Sequence, residues 1–318
     1  MTRIPAKAFQ GEPQDYRNYI DGAFVESGTG VIEVLNPANG RLLGRIPDTG
    51  PDQVDAAVKA ARHAQAGWER LPAIERAGYL RQVSARLREH RLELADVIVK
   101  EQGKVRGLAQ VEVDFTADYI DYMAEWARRI EGEVLTSDRP NETMLLLRKP
   151  IGVVAGILPW NFPFFLIARK MAPALVTGNT IVIKPSEVTP RFVAPLVRTL
   201  ADIPELAGIV TYVQGDGATG AALVDRVDGI CFTGSTATGR KVRRQHRQAN
   251  AAKARRARKA ASRLPANATS TARMEGRARA ASRAAMASMT SPATTASASR
   301  SRATASRTRI PPLLRSPC

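Results

Sequence analysis

The chain has 318 residues, of which 44% are hydrophobic and 24% charged, and it carries two cysteines and three histidines. These proportions predict a globular protein of one large or two ordinary domains, and the sparse cysteines exclude a disulfide framework and a zinc site. The net charge of +17 invites a nucleic-acid interpretation. No apolar run reaches the roughly 18 residues of a membrane helix and no signal peptide begins the chain, so we expect a cytoplasmic protein.

The charge is confined to one end of the chain. From Arg243 onward there are 16 arginines, two lysines and one acid, Glu275, whereas residues 1–242 contain 29 basic and 29 acidic side chains. The 76 residues of 243–318 include 21 Ala, 10 Ser and 7 Thr, and no aromatic residue. So little large apolar surface cannot offset an ordering cost of about 1–2 kcal/mol per residue. We therefore predict a disordered basic tail from Arg243.

The first half of the chain predicts a small β element followed by helices. Asp21-Gly22 joins two β-prone runs and is typical of a tight hairpin turn. Apolar residues at helical spacing follow Pro51, and two further helical stretches run from about Ala73 to Gly103 and from Gly107 to Ile130. An aromatic stripe on the last stretch, interpreted as helix core, comprises Phe115, Tyr119, Tyr122 and Trp126.

From Pro150 the pattern changes to short apolar runs that alternate with helical stretches, which predicts a parallel sheet with crossover helices. The predicted strands are Gly152–Leu158, Thr180–Lys184, Gly208–Gln214 and Gly229–Phe232. The predicted crossovers are Phe164–Thr177, Arg191–Asp202 and Ala218–Arg226. Because open parallel sheets bind ligands beyond the carboxyl ends of their strands, the residues that follow each run are the candidate site.

Three features at these strand ends could bind or react. Gly215–Gly220 matches G-x-G-x-x-G, but no acidic residue follows about 20 residues on, so a tight glycine turn remains as good an interpretation as a dinucleotide loop. Lys184 and Glu187 could share a crevice or form an ordinary surface ion pair. Asn161 lies in an apolar turn, where we expect a buried amide that either donates to an oxyanion or caps the next helix.

Together these motifs resemble one enzyme superfamily. Four segments follow the order and spacing of motifs in the NAD(P)-dependent aldehyde dehydrogenases: Gly156–Pro163, Gly178–Thr180, Lys184–Glu187 and Phe232–Ser235. The segments 115–126 and 160–174 look most like the bacterial lactaldehyde/glycolaldehyde dehydrogenase branch. The likeness runs from about Tyr19 to Val242. It implies an α/β fold with a Rossmann-type parallel sheet, incomplete here, and NAD-dependent oxidation of a small aldehyde to its acid.

The resemblance also implies roles for individual residues. Asn161 would be the catalytic side-chain donor of the oxyanion hole, and Phe165 and Arg169 would face a polar substrate. A carboxylate at Glu187 would bond ribose hydroxyls and repel a 2′-phosphate, which favours NAD over NADP. The glycine loop would border the adenine rather than grip phosphates. The full set of implied cofactor-binding residues is Ile157, Trp160, Lys184, Ser186, Glu187, Gly217, Gly234 and Ser235.

The family's chemistry needs a nucleophilic cysteine and a general-base glutamate, and this sequence does not contain the motifs that carry them. A cysteine thiolate adds to the aldehyde, hydride passes to NAD, and a glutamate activates water. The E-L-G-G-K glutamate and the G-Q-x-C cysteine are absent. Cys231 is interpreted as a strand-buried residue, and Cys318 ends the tail. We expect a truncated, inactive chain, and the abrupt change after Val242 leads to the hypothesis of a frameshift near 241–243.

The predicted organisation has four parts. Residues 1–135 form the helical part and small β elements of a cofactor-binding domain, 136–150 an oligomerisation-type hairpin, 151–242 the NAD-binding βα units, and 243–318 the tail. A homo-oligomer is expected of the family, though less so of an incomplete chain. The alternative function is a non-catalytic fragment whose cationic tail binds nucleic acid without specificity. No membrane partner and no sequence-specific nucleic acid are predicted.

Overall fold

The computed structural model describes residues 14–26, 30–190 and 193–261. The amino-terminal half contains five short strands and four helices: β1 Gln14–Asp15, β2 Asn18–Ile20, β3 Ala23–Val25, β4 Val31–Leu35, β5 Leu42–Pro47, α1 Pro51–Trp68, α2 Ala73–Glu89, α3 Arg91–Gln102 and α4 Arg106–Ala124. The remainder alternates strands and helices: β6 Glu133–Thr136, β7 Thr143–Leu146, β8 Val153–Ile157, α5 Pro163–Val176, β9 Thr180–Lys184, α6 Val193–Ala201, β10 Val210–Tyr212, α7 Gly217–Val224, β11 Gly229–Phe232 and α8 Thr236–Ala261.

A six-stranded mixed sheet organises the molecule, with the strand order β11-β8-β9-β10-β2-β3. The four parallel strands are those that the apolar runs predict, and the crossovers α5, α6 and α7 lie within three residues of their predicted bounds. Strands β8, β9 and β10 are buried because they face helices on both sides, which explains their continuous apolar sequence, whereas β11 is half-buried. The expectation of a Rossmann-type α/β fold is confirmed.

The predicted hairpin is confirmed at Asp21-Gly22, where both residues have positive φ, 52° and 78°. Its location was not predicted, because the pattern indicated a separate small element. The hairpin extends the main sheet, since Tyr19 of β2 pairs antiparallel with Tyr212 of β10. The other early strands, β1, β5 and β4, form their own small sheet.

The core has two layers, one on each face of the main sheet. On one face α2 to α6 pack with Ile181 and Ile183, and on the other α1 and α7 pack with Val182. The alternation along β9 follows from the two-residue period of a strand, which sends successive side chains to opposite faces. The sheet is therefore covered on both sides, with its carboxyl edge left for the loops that follow each strand.

Two predictions about the helices need correction. The stretch 73–103 is two helices, α2 and α3, because His90 departs from helical geometry between them. The aromatic stripe of α4 is not core, since Phe115, Tyr122 and Trp126 are exposed and Tyr119 alone packs against the buried cluster. Small residues of α4, including Ala109, Val113 and Ala117, occupy the buried face instead.

The expectation of disorder from Arg243 is wrong for residues 243–255. They continue helix α8, which contacts α7 and the following loop through three side chains: Gln245 donates to Ala221 O (2.9 Å), His246 contacts Val224 O (3.2 Å) and Lys253 donates to Val227 O (3.0 Å). Alanine, arginine, lysine and glutamine are strong helix formers, and a composition argument based on buried area misses that propensity. The tail residues 262–318, with Cys318, lie outside the described residues.

The predicted oligomerisation hairpin is a β-hairpin that begins three residues earlier than expected, with β6 at Glu133. Its apolar side chains are exposed, with Val134 75% and Leu145 62% accessible. Within the described ranges, no helix is both long and apolar enough to span a bilayer.

Candidate functional site

The carboxyl edge of three neighbouring strands forms the candidate site. Ile157 of β8 lies between Lys184 of β9 and Phe232 of β11 in the sheet register. Backbone bonds hold this edge, because Leu158 N donates to Lys184 O (3.1 Å) and Thr233 N donates to Ile157 O (3.1 Å). The predicted residues that follow these strands therefore share one edge, as the parallel topology requires.

Lys184 and Glu187 form the predicted pair, with Nζ and Oε2 3.1 Å apart. It is not the ordinary surface ion pair, since the side chain of Lys184 is 5% exposed while that of Glu187 is 44% exposed. The stem of Lys184 lies beside the start of α7, where a Cβ on Gly220 would be 3.9 Å from Cδ. The pair thus offers a fixed ammonium and an accessible carboxylate at the sheet edge.

Ser186 is buried in the turn between Lys184 and Glu187, where its Oγ accepts from Val188 N (3.2 Å) and stabilises the turn.

The glycine loop Gly215–Gly220 forms a tight turn at the start of α7. A Cβ on Gly215 would lie 2.1 Å from Thr219 Oγ1, and the Asp216 carboxylate accepts from Ala218 N (2.6 Å) at the start of α7. An acid on those amides disfavours phosphate there, although Gly217 itself faces open space.

Gly234 and Ser235 lie exposed between β11 and α8. The ring of Phe232 packs on this turn, and a Cβ on Gly234 would approach its Cζ to 2.6 Å. Ser235 Oγ accepts from Thr238 N (3.2 Å) and bonds Thr238 Oγ1 (2.9 Å), so it caps the first turn of α8. The amides of that turn and the open glycine backbone suit an anionic group.

The expectation that Asn161 is a buried amide is wrong, since Asn161 and its neighbours Trp160 and Phe162 are exposed. The turn that carries them connects the carboxyl end of β8, at Ile157, to the start of α5, at Pro163. The capping alternative for Asn161 also fails, because the residue at the cap position of α5 is Phe162 and no side chain of the turn caps the helix. An exposed amide remains compatible with donating to a ligand.

Phe165 and Arg169 form a second group, on helix α5. The Phe165 ring lies 4.5 Å from that of Phe115 and 5.6 Å from that of Tyr119, and the guanidinium carbon of Arg169 lies 5.9 Å from its centroid. The exposed aromatic stripe of α4 thus meets the exposed face of α5. This surface combines ring faces with one cation.

Sequence reasoning missed a buried lysine at the sheet edge. Lys170 of α5 is buried and donates to Thr233 Oγ1 (2.7 Å), directly after β11. Burial lowers the pKa of this ammonium from its ordinary value, with Cys231 and Arg169 as charged or titratable neighbours. A charged residue on the apolar face of a predicted helix was the signal that could have revealed it.

It also missed Gln102, Lys104 and Glu112, whose side chains contact the Trp160-Asn161 turn or the start of α5. Nothing in their local sequence indicates this long-range contact.

Cys231 differs from its expected state. It is half-buried rather than buried, because β11 lies at the edge of the sheet and, among the described residues, pairs with a strand on one side only. In the part of the chain that the structure describes, no group of three His, Cys, Asp or Glu side chains could hold a metal ion.

Comparison with known proteins agrees with this arrangement. The profile described as the aldehyde dehydrogenase family matches residues 24–293. This chain belongs to the aldehyde dehydrogenase family. The match extends beyond Val242, where we expected the likeness to end.

Two relatives of this aldehyde dehydrogenase chain carry different names. It is 52% identical over 234 residues to lactaldehyde dehydrogenase of Escherichia coli strain K12, covering 72% of this chain and 49% of that protein. It is 37% identical to a D-glyceraldehyde dehydrogenase (NADP(+)) of Thermoplasma acidophilum, covering 72% and 47%. The chain therefore spans about half the length of the curated relatives it matches.

Solved structures share the same fold. The crystal structure of lactaldehyde dehydrogenase from Escherichia coli aligns with a TM-score of 0.73 at 50% identity, covering 75% of this chain and 51% of that one. PnpE in complex with nicotinamide adenine dinucleotide aligns with a TM-score of 0.70 at 40% identity, covering 73% and 48%. The α/β fold and the expectation of the family, with lactaldehyde dehydrogenase among the relatives, are confirmed.

Proposed function

We propose that this chain binds a nicotinamide dinucleotide along the carboxyl edge of β8, β9 and β11. The observation that carries the proposal is the Lys184–Glu187 pair beside Ile157, with the exposed turn Gly234-Ser235 on the neighbouring strand. The donor set fits such a ligand, since a carboxylate accepts from ribose hydroxyls and a helix start accommodates a pyrophosphate. When bound, the nicotinamide would accept a hydride.

We propose the residue roles that the family resemblance implies. Lys184 and Glu187 would bind the adenosine ribose, with Ser186 holding their turn and Gly217 bordering the adenine. Gly234 and Ser235 would meet the pyrophosphate. Ile157 and Trp160 would line the nicotinamide end, where Asn161 would donate to the oxygen of an aldehyde. Phe165 and Arg169 would contact a small, hydroxylated aldehyde through ring faces and one cation.

We propose NAD rather than NADP as the preferred dinucleotide. Glu187 is the accessible member of its pair, so its carboxylate would repel a phosphate on the ribose 2′ oxygen. Relatives named for NADP(+) show that the family accommodates either cofactor. The preference therefore depends on this one side chain.

Titration of the purified chain with each dinucleotide tests the assignment. Native protein should bind NAD more tightly than NADP. Glu187→Gln should lower the ratio of NAD affinity to NADP affinity by about tenfold or more, which corresponds to about 1.4 kcal/mol. Glu205→Gln, a change of an exposed carboxylate elsewhere, is the matched control. Equal affinities for both dinucleotides in the native chain would contradict the proposal, as would a Glu187→Gln variant with an unchanged ratio.

We further propose that the 318-residue chain does not itself oxidise aldehydes. By the family's pattern, the general-base glutamate and nucleophilic cysteine belong to motifs that this sequence does not carry, and Cys231 lies in a strand. The change of composition after Val242 is explained by a frameshift near 241–243. Re-reading the gene in the other two frames should recover E-L-G-G-K in one of them, and its absence from both would refute the frameshift.

A second candidate function, non-specific nucleic-acid binding, is favoured by helix α8. Its exposed side chains include Arg240, Lys241, Arg243, Arg244 and Arg247, and its sequence contains no acid. Such a face would neutralise phosphates in a salt-dependent way. It offers no aromatic ring for base stacking, so we propose no sequence preference.

Salt-dependent binding of a DNA duplex tests this candidate. Replacing Arg243, Arg244 and Arg247 together by Gln should reduce the slope of log K against log salt by about one for each phosphate that is no longer neutralised. Replacing three exposed arginines elsewhere, Arg70, Arg81 and Arg129, changes the net charge equally and should leave the slope nearly unchanged. Equal effects of the two triple variants would exclude α8 as the binding face.

A self-associated state and a cytoplasmic location stay predictions of the sequence. The exposed apolar side chains of the β6–β7 hairpin support the first.

A further inference from the structure

The turn that carries Asn161 has little internal support. Trp160, Asn161 and Phe162 are all exposed, and no hydrogen bond to the Asn161 side-chain amide is found among the described residues. Two prolines, Pro159 and Pro163, flank the turn and cannot donate backbone hydrogen bonds. Side-chain contacts to the backbone of this turn come from other parts of the chain.

The junction between α3 and α4 reaches the backbone of this turn. Gln102 Nε2 donates to Trp160 O (3.1 Å) and to Asn161 O (2.6 Å), and Lys104 Nζ donates to Asn161 O (3.2 Å). The same ammonium lies 4.0 Å from the centroid of the Phe162 ring, within the range of a cation–π contact. Two side chains thus bind the carbonyl of Asn161.

Gly103 separates these two side chains. It ends α3 with φ +74°, a left-handed conformation that glycine adopts without strain. The reversal of the chain at this residue lets Gln102 and Lys104 both contact the turn. A helix that continued through residue 103 would separate the two side chains by about 200° around its axis.

Glu112 of α4 fixes the other end of the turn, where α5 begins. Its Oε1 accepts from Phe164 N (2.9 Å) and Phe165 N (3.2 Å), and its Oε2 binds Lys104 Nζ. Glu112 is 3% exposed, so the carboxylate is buried against the first free amides of α5. A carboxylate at a helix start is stabilised by those amides and by the helix dipole. Glu112 therefore caps a helix to which it does not belong.

We infer that Gln102, Lys104 and Glu112 are positioning residues for Asn161. Together they bind two backbone carbonyls of the turn and the first backbone amides of α5. The backbone that carries the exposed Asn161 side chain is therefore held in place. Because Lys104 binds both Glu112 and Asn161 O, the three side chains act as one unit. The inference rests on the proposed role of Asn161 as an oxygen-binding donor, but the contacts themselves do not involve a cofactor.

The test follows Asn161 directly in the full chain labelled with ¹⁵N-asparagine. Asn161→Asp assigns its resonances, and Asn179, whose side chain is bonded at the start of β9, serves as an internal reference. In Glu112→Ala and in Gln102→Ala, the heteronuclear NOE of the Asn161 amides should fall by at least one third, with the Asn179 resonances unchanged. Glu112→Gln keeps an oxygen that can accept both amides and should restore most of the native value.

Asp114→Asn is the matched control. Asp114 lies on α4, as Glu112 does, and the substitution removes its ion pair with Arg91 of α3. It should leave Asn161 unaffected. The inference fails if Asn161 keeps its native values in Glu112→Ala and Gln102→Ala, or if the Asn179 resonances move as much as those of Asn161, since the residues would then be merely structural. Dinucleotide affinity is not part of this measurement, so a failure of cofactor binding would count against the proposed function alone.

Discussion

Lys170 illustrates how a single buried charge affects this fold. Its side chain is buried, and its ammonium donates a hydrogen bond to Thr233 Oγ1 at the edge of the sheet (2.7 Å). Burial penalises the charged form and lowers its pKa below the ordinary 10.5 of lysine. The folded chain therefore binds fewer protons than the unfolded chain at pH values between the two pKa values. In that window, the free energy of unfolding rises with pH.

We predict that Lys170→Met removes this dependence. Methionine fills the same space without a charge, so the free energy of unfolding should no longer rise as the pH approaches 10.5. Because Cys231 is a titratable neighbour, both chains should carry Cys231→Ala. Urea unfolding at a series of pH values measures the slope. An unchanged slope in the Met variant would show that another group causes it.

Gly22 provides a second prediction at the scale of one residue. It and Gly40 both have positive φ, 78° and 68°, but a Cβ on Gly22 would lie 2.9 Å from Ala207 Cβ, whereas one on Gly40 would meet nothing within 4 Å. Gly40→Ala should cost about 1 kcal/mol for its backbone conformation alone. Gly22→Ala should cost more, since the hairpin or Ala207 must also move. Denaturant unfolding of both variants checks this, and equal losses would contradict the contact.

At the scale of elements, α8 shows what composition cannot predict. Its charge and lack of large apolar residues predicted disorder. Helix propensity and three contacts from one face, by Gln245, His246 and Lys253, stabilise the helix instead. The strands of the parallel sheet were predictable because continuous apolar runs have few other uses. The exposure of the α4 aromatic stripe was not predictable, because periodicity identifies a face of a helix without showing whether anything covers it.

The cap of α8 can be tested in isolation. Ser235→Ala removes the acceptor for Thr238 N and should cost about 1 kcal/mol of stability, whereas Ser235→Gly should cost only a few tenths. Thermal unfolding followed by circular dichroism measures both. A Ser235→Ala variant as stable as the native chain would show that the cap does not stabilise α8.

At the scale of the whole molecule, the pairing order of the sheet lay beyond sequence reasoning. The predicted strands pair as β11-β8-β9-β10, and the amino-terminal hairpin joins β10 through residues 193 positions apart. Such long-range pairing depends on packing that no local pattern contains. The candidate site was more predictable, because carboxyl ends of parallel strands meet at one edge. The buried contacts that support it, from Glu112 and Lys170, come from helices distant in sequence.

The edge strand β11 also has a consequence for the whole chain. It is half-buried and, within the described ranges, paired with a strand on one side only, and the β6–β7 hairpin exposes apolar side chains. Both are surfaces on which further chains pair or pack. We expect the purified chain to associate, with a light-scattering mass that exceeds the 34.4 kDa of one chain. Leu145→Lys with Val134→Lys should lower that mass, and a native chain already at 34.4 kDa would contradict the expectation.

We have proposed that this chain binds a nicotinamide dinucleotide and lacks the residues needed for turnover. Incubating purified chain with NAD and either glycolaldehyde or lactaldehyde, while following NADH absorbance and measuring NAD binding calorimetrically in parallel, tests both halves together. We expect saturable NAD binding, lost in a Lys184→Ala/Glu187→Ala variant, and no increase in NADH. A steady formation of NADH by the native chain, or an absence of NAD binding, would contradict this expectation.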